Sequence, residues 1–185
     1  MRAAQQGGSL IEVLVTLVVL LVGLLGLAGL MVQSQRSQME SYQRVQALLM
    51  LEDMVNRIHT NRKAAVCYAY SATTGTPYLG AGSSLTPSCA SGTAEQQARA
   101  VADLNEWHAL LRGGAEVVEG TQVGGALSAR GCVALLSPGV YQVSVVWQGL
   151  ARTSAPAGVS CALNTYGEDT LRRAVSATVQ IASLS

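Results

Sequence analysis

A run of twenty residues near the amino terminus, Val13–Val32, contains no charged side chain, and its one polar side chain is Thr16. Twenty helical residues at about 1.5 Å per residue span about 30 Å, which is the thickness of the hydrocarbon core of a bilayer. The run therefore predicts a transmembrane helix. The carboxylate of Glu12 stands at its start, and two glycines, Gly7 and Gly8, lie four and five residues before that carboxylate.

The length and charge of the chain limit what else it can do. With 185 residues, one membrane helix leaves enough chain for one modest globular domain. The twelve basic and eleven acidic residues nearly balance, so we expect no nucleic-acid partner, which would require clustered cations. The sequence contains no recognisable catalytic, phosphate-binding or metal-binding motif. We therefore expect a non-enzymatic protein with no catalytic residue, no cofactor and no metal.

The helical pattern continues beyond the apolar run. Residues 33–61 contain neither proline nor glycine and are rich in good helix formers. We predict one continuous helix from about Leu10 to Thr60, whose second half is amphipathic and packs against the globular part. The predicted packing stripe is Met39, Tyr42, Val45, Leu48, Leu49, Leu51, Val55 and Ile58. The predicted solvent face is Arg36, Glu40, Gln43, Arg44, Glu52 and Arg57.

The remaining residues predict an α+β domain. Cys67–Gly92 has the composition of a long loop. A capping box at Thr93 and Gln96 starts a second helix, and Gly113 ends it near Arg112. Trp107 in this helix is expected in the core, with a recognition patch as the alternative, and Trp147 is expected in the core. Period-two alternation predicts four strands that form an antiparallel sheet on the amphipathic half of the long helix. These strands are Ala115–Glu119, Cys132–Leu136, Val140–Gln148 and Leu171–Leu184.

The four cysteines, Cys67, Cys89, Cys132 and Cys161, all follow the apolar run. An even number of cysteines beyond an export segment favours disulfides in an oxidising compartment, with buried free thiols as the alternative. Three pairings are possible. We favour Cys67–Cys89 and Cys132–Cys161, because each closes a local loop.

The segment Gly7–Val15 resembles the class III signal of type IV prepilins, which consists of a glycine, four residues, a glutamate and an apolar helix. The resemblance implies that prepilin peptidase cleaves between Gly7 and Gly8 and that the new amino terminus of Gly8 is N-methylated. It also implies that Glu12 pairs with the amino terminus of a neighbouring subunit during assembly. The family usually has phenylalanine where this chain has Gly8, so cleavage between Gly8 and Ser9 is the alternative.

Other segments are similar to the PilV family of minor pilins. They are Val22–Gly26, Asp53–Ile58, Asp103–Trp107 and Val140–Gln148. The resemblance implies a type IV pilin fold with a leader at residues 1–7, a transmembrane and assembly helix at 8–32 and a globular head at 33–185. It further implies a single-pass inner-membrane protein with a periplasmic head, which enters a pilus and helps to prime or cap its assembly.

The implied partners are prepilin peptidase, other minor pilins, the major pilin and, before assembly, the inner membrane. A minor pseudopilin of type II secretion begins with the same signal and is the first alternative. The second alternative is an adhesive or DNA-uptake pilin whose head binds a ligand. A plain single-span anchor with an unrelated domain is the third.

Overall fold

The structure is a computed structural model that describes residues 9–114, 117–118, 121–122 and 126–182. Its chain divides into two compact units, one that ends at Met39 and one that begins at Glu40. We call them the amino-terminal unit and the carboxy-terminal unit and describe each by itself. The helices and strands are α1 (Leu10–Thr60), β1 (Leu79–Gly80), α2 (Ala94–Leu111), β2 (Val117–Val118), β3 (Thr121–Gln122), β4 (Arg130–Ser137), β5 (Val140–Gln148) and β6 (Arg172–Gln180).

The amino-terminal unit consists of the first part of α1. The helix begins at Leu10 and, continuing into the other unit, ends at Thr60, as the sequence predicts. Among the described residues, α1 is the one helix long and apolar enough to cross a membrane. Its helical structure is uninterrupted at Gly23, Gly26 and Gly29.

A four-stranded antiparallel sheet lies in the carboxy-terminal unit, with the strand order β1-β4-β5-β6. The expected number of strands is confirmed, but one of the four predicted strands is wrong. Within the predicted strand Ala115–Glu119, Val117–Val118 pairs with Thr121–Gln122 in a separate two-stranded hairpin, and residues 115, 116 and 119 lie outside the described residues. The place in the sheet belongs to Leu79–Gly80, which lies in the segment predicted to be a loop.

The three long strands are close to their predicted positions. β5 has the predicted bounds, whereas β4 is three residues longer than predicted, from Arg130 to Ser137. β6 is shorter, because Leu171 belongs to a 3₁₀ turn and the strand ends at Gln180. Residues 183 and 184 of the predicted strand lie outside the described residues.

The face that α1 buries within the carboxy-terminal unit differs from the predicted stripe. Its buried apolar residues are Ala47, Met50, Leu51, Met54 and Ile58. Tyr42, Val45 and Leu49 of the predicted stripe are each more than half exposed. Gln43, predicted to face solvent, is buried. The period is helical in both cases, but the small Ala47 and the flexible methionines set the face that fits the sheet.

Helix α2 is built as the sequence predicts. Thr93 and Gln96 form the reciprocal capping box, in which each side chain accepts the main-chain N–H of the other residue. The helix stops before Gly113, whose φ of 88° is a conformation that glycine adopts without steric cost. Trp107 is fully buried, as expected, and its Nε1 donates a hydrogen bond to the carbonyl oxygen of Met50 at 2.9 Å. This indole therefore links α2 to α1, and Trp147 is buried as well.

Candidate functional site

The first turn of α1 carries the carboxylate that the sequence singles out. The main-chain N–H of Glu12 donates to the carbonyl oxygen of Ser9 at 2.9 Å, which places Glu12 in the first turn of the helix. A carboxylate is favoured there by the partial positive charge of the helix amino terminus. Glu12 is exposed, and within residues 9–114 and the other described ranges no cation forms an ion pair with it. Gly7 and Gly8, the predicted cleavage residues, lie outside the described residues.

The helix from Leu10 to Val32 presents an apolar surface on all sides. Its large apolar side chains are each between 50% and 84% exposed. Burial of a large aliphatic side chain contributes about 1.5–3 kcal/mol, so covering this surface contributes on the order of tens of kcal/mol. Monomeric soluble proteins rarely expose an apolar surface of this size. By length and composition, the helix is able to cross a membrane.

Two disulfides stabilise the carboxy-terminal unit. Cys67 pairs with Cys89 and Cys132 pairs with Cys161, the two local pairings that the sequence favours. The first joins the chain just after α1 to the loop before α2. The second joins β4 to the loop between β5 and β6. In the chain-entropy model, loops of 22 and 29 residues each contribute roughly 3 kcal/mol to stability.

An ion-pair cluster joins α1 to α2 through Arg57. Its guanidinium contacts Asp53 at 2.7 Å, Asp103 at 3.0 Å and Glu106 at 2.6 Å. Asp103 is 1% exposed, and its other oxygen accepts a hydrogen bond from the hydroxyl of Tyr68. The segments Asp53–Ile58 and Asp103–Trp107 thus contact each other directly. This contact has a structural role, because the three carboxylates are all paired with the guanidinium of Arg57.

The titration behaviour of this cluster follows from its contacts. Burial lowers the pKa of Arg57, but its hydrogen bonds to Asp53 and Glu106 outweigh burial, so its pKa lies above the ordinary value. The same hydrogen bond from Arg57 lowers the pKa of Glu106. Burial, followed by the hydrogen bond to Asp103, raises the pKa of Tyr68, which keeps the phenol protonated. Arg57 and Glu106 are therefore both charged at neutral pH.

We predict that Arg57→Met lowers the free energy of unfolding by about 3 kcal/mol, because it leaves the buried carboxylate of Asp103 without its better partner. Arg99→Met is the matched control. Arg99 also pairs with Asp103 at 3.0 Å, but its side chain is 62% exposed, so its loss is expected to cost less than about 1 kcal/mol. Calorimetry of the detergent-solubilised chain measures the free energy of unfolding of both variants. Equal losses of stability would contradict the view that Arg57 is the more important partner of Asp103.

Sequence reasoning missed the structural roles of two arginines, Arg172 and Arg130. Arg172 is 1% exposed, forms a two-pronged ion pair with Asp169 at 2.6 and 3.0 Å, and donates to the carbonyl oxygens of Val159 and Cys161. This pairing lowers the pKa of Asp169. The three-residue spacing of Asp169 and Arg172 at the start of a predicted strand is the sequence signal that could have indicated this ion pair.

The second missed arginine is Arg130. Its guanidinium lies 4.3 Å from the ring centroid of Tyr166 and 5.2 Å from that of Tyr78, and it donates to the hydroxyl oxygen of Thr165 at 2.8 Å. These contacts join the chain before β1 to the loop that carries Cys161. No spacing in the sequence indicates them, because Arg130 and its partners come from three distant segments, with Tyr78 in one and the neighbours Thr165 and Tyr166 in another.

His108 covers the outer edge of β1. Its Nδ1 accepts the main-chain N–H of Gly80 at 3.1 Å, which requires a neutral imidazole with an unprotonated Nδ1. Burial, and then the charge of Arg112, lower the pKa of His108. The sequence pattern alone assigns His108 no role. In the structure, His108 accepts the outward main-chain N–H of the edge strand β1.

We predict that the free energy of unfolding decreases as the pH falls below about 6.5. Below this pH, His108 of the unfolded chain binds a proton, whereas the lowered pKa in the folded chain keeps its imidazole neutral. Above this pH, His108 is neutral in both the folded and the unfolded chain and does not change the stability. His108→Gln, whose amide oxygen can accept from Gly80 without titrating, is expected to reduce this pH dependence. His59→Gln, at the exposed end of α1, is the control and should leave it unchanged. Calorimetric melting temperatures between pH 7.5 and 5.5 provide the measurement.

Described residues line at least two open grooves of the carboxy-terminal unit. One, of about 480 Å³, runs beside the Cys67–Cys89 disulfide and is lined by uncharged residues that include Tyr70 and Leu85. The other, of about 430 Å³, has Arg62 and Lys63 beside Tyr141. In the part of the chain that the structure describes, neither groove places a nucleophile beside a base. Within those same residues, no three or more His, Cys, Asp or Glu side chains form a group that could hold a metal ion.

The architecture is an apolar amino-terminal helix whose second half packs on a four-stranded antiparallel sheet, and it is compatible with a pilin-like fold. Three features of the described residues bear on function: the carboxylate of Glu12, the apolar surface that follows it and the two disulfides. Comparison of the chain with protein-family models, with curated proteins and with solved structures finds no match.

Proposed function

We propose that this protein is a minor pilin of a type IV pilus, most similar to the PilV family. The observation that carries the proposal is the combination of Glu12 in the first turn of α1 with the apolar surface that continues from it to Val32. An isolated carboxylate at the start of a membrane-length helix is costly unless a cation neutralises it. An amino group created by cleavage between Gly7 and Gly8 in a neighbouring subunit is such a cation.

The function follows from assembly and not from catalysis. Before assembly, the inner membrane covers the apolar surface, and the head stands in the periplasm. The oxidising periplasm suits the two disulfides. During assembly, other minor pilins and the major pilin replace lipid around the helix, and the charge pair at Glu12 fixes the axial position of the subunit. In this role the protein helps to prime or cap the growing pilus.

Processing is tested first by intact-mass measurement of the membrane form, in cells with and without active prepilin peptidase. The proposal requires an amino terminus at Gly8 that carries a methyl group and appears only when the peptidase is active. An amino terminus at Ser9 would select the alternative cleavage position. Retention of Met1 or Arg2 in cells with active peptidase would overturn the prepilin assignment.

A second experiment separates a pilus from a secretion pseudopilus, which begins with the same kind of segment. The gene is deleted, and surface pili and protein secretion are both measured. Loss of pili with normal secretion supports a minor pilin, whereas normal pili with lost secretion support a minor pseudopilin of type II secretion. Complementation with the wild-type chain is the control.

A further inference from the structure

The groove of about 430 Å³ on the carboxy-terminal unit differs in charge from the groove beside the disulfide. We call it the basic groove, and its lining includes Arg62, Lys63, Val66, Tyr141 and Ile181. Arg62 and Lys63 are exposed, and among the described residues neither forms an ion pair. The described residues that line the groove include no acidic side chain. Two cations therefore lie at one surface with no carboxylate of the described chain beside them.

Tyr141 supplies a hydrogen-bond donor to the same groove. Its ring is part of the core, and the residue is only 5% exposed. Burial alone raises its pKa, with no hydrogen bond from a described residue, so the phenol is protonated at neutral pH and able to donate. Within the described ranges, Oε1 of Gln43 is the one fully buried side-chain N or O atom that lacks a partner. The hydroxyl of Tyr141 is therefore accessible from the groove that it lines.

These side chains together suit a carboxylate that has an apolar neighbour. A guanidinium can bind both oxygens of a carboxylate, an ammonium adds a compact positive charge, and a phenol donates a further hydrogen bond. Val66 and Ile181 form an apolar wall in the same groove, and Val66 is 48% exposed. An inorganic anion such as phosphate has no apolar part that could cover this wall. An aliphatic group next to the carboxylate would cover it.

The open shape of the basic groove favours a carboxylate that belongs to a protein. Sites for small molecules usually bury about 70–90% of the surface of the ligand. The basic groove leaves Arg62 and Lys63 in solvent, so it cannot enclose a small acid to this extent. A segment of another protein makes additional contacts outside the groove, and these contacts hold its acidic side chain at a high effective concentration.

We propose that the basic groove binds an acidic side chain on an exposed segment of a partner protein, with an apolar residue next to it in that segment. Arg62 and Lys63 pair with the carboxylate, and the hydroxyl of Tyr141 donates a hydrogen bond to one of its oxygens. The apolar neighbour packs on Val66 and Ile181. The argument uses the carboxy-terminal unit alone and does not depend on the assignment to the minor pilins.

The test measures binding of two labelled peptides to the full chain in a nonionic detergent, with empty micelles as the background. The probe is acetyl-Leu-Glu-Leu-amide with an uncharged fluorescent label. The matched control peptide is acetyl-Leu-Gln-Leu-amide with the same label. Fluorescence anisotropy gives the Kd of each peptide. We expect the glutamate peptide to bind at least about tenfold more tightly, because hydrogen bonds to an ionised group are about twice as strong as neutral ones.

Tyr141→Phe tests the hydroxyl, because it removes that group and keeps the buried ring. We expect it to weaken binding of the glutamate peptide by at least about threefold, since the carboxylate loses one donor. Tyr78→Phe is the matched control, because Tyr78 is not among the residues that line the basic groove. This control should leave the Kd within about 1.5-fold of the wild type, as expected for a distant site.

The double variant Arg62→Gln with Lys63→Gln tests the two cations. We expect it to weaken binding of the glutamate peptide by about tenfold, because both charged donors are lost. Arg36→Gln with Arg44→Gln removes the same charge from exposed positions of α1. This control should weaken binding by less than about twofold, because salt screens distant exposed charges. An unchanged melting temperature, together with intact native disulfides, establishes folding in each variant.

Several results would overturn the proposal. They are absence of binding or equal affinity of the two peptides, unchanged affinity in folded Tyr141→Phe, and equal losses in the two double variants. Competition with hexanoate and with inorganic phosphate tests the source of the anion. If either competitor binds as tightly as the glutamate peptide, the groove takes a free anion and not an acidic segment of a protein.

Discussion

Replacing Glu12 by valine is expected to lower the amount of this protein recovered in sheared pili by about tenfold or more, with its amount in the membrane unchanged. The reason is electrostatic. In the proposed assembly, the carboxylate is the partner of an amino terminus in a surrounding of apolar helices. Removing one member of a buried ion pair costs about 3–5 kcal/mol, because the other charge stays buried without a partner. Quantitative immunoblots of sheared and membrane fractions measure the effect.

The matched control for Glu12→Val is Thr16→Val, which removes the one other polar side chain near the start of the apolar segment. The hydroxyl of Thr16 donates to the carbonyl oxygen of Val13 at 2.8 Å, so its hydrogen bond is satisfied within the helix. We expect this variant to assemble within twofold of the wild type, a change of roughly 0.4 kcal/mol or less. If Glu12→Val assembles equally well, Glu12 does not set the position of the subunit.

Replacing Gly131 by valine is expected to destabilise the carboxy-terminal unit by about 3 kcal/mol and to lower its melting temperature by roughly 10 °C. A Cβ atom at Gly131 would lie 2.2 Å from Cη2 of Trp107 and 2.8 Å from Cδ1 of Leu111. Both side chains are fully buried, so neither can move without disturbing the core. Calorimetry of the chain in detergent micelles measures the shift.

A double-mutant cycle with Trp107→Leu tests the cause of the Gly131→Val effect. The smaller side chain removes the ring atoms that the new Cβ would meet. Gly131→Val should therefore cost less in the Trp107→Leu background than in the wild type, by at least about 1 kcal/mol. Additive effects would mean that the loss of stability comes from somewhere other than this contact.

The elements with strong local signals could be predicted from the sequence. Helix α1 follows from residues 10–60, which contain no proline, and from helical spacing. The capping box at Thr93 places the start of α2 within one residue. β5 follows from the alternation between Val140 and Gln148. In each case the information lies in the consecutive residues of the element itself.

Features set by distant partners could not be predicted in this way. Leu79–Gly80 is a strand because β4 pairs with it, and two residues are too few to show the alternation of apolar and polar side chains that indicates a strand. The buried face of α1 depends on the shape of the sheet, which chooses Ala47 and Met54 over Tyr42. Arg172 is buried because a loop held by a disulfide supplies carbonyl oxygens to it.

The placement of the two tryptophans has a practical consequence for spectroscopy. Trp107 and Trp147 are both in the core of the carboxy-terminal unit, and the chain has no aromatic residue before Tyr42. The intrinsic emission of the intact protein therefore reports on that unit alone. The apolar part of α1 is silent in such a recording, whether lipid or other subunits surround it. Unfolding of the carboxy-terminal unit can thus be followed by fluorescence without removing the apolar part of α1.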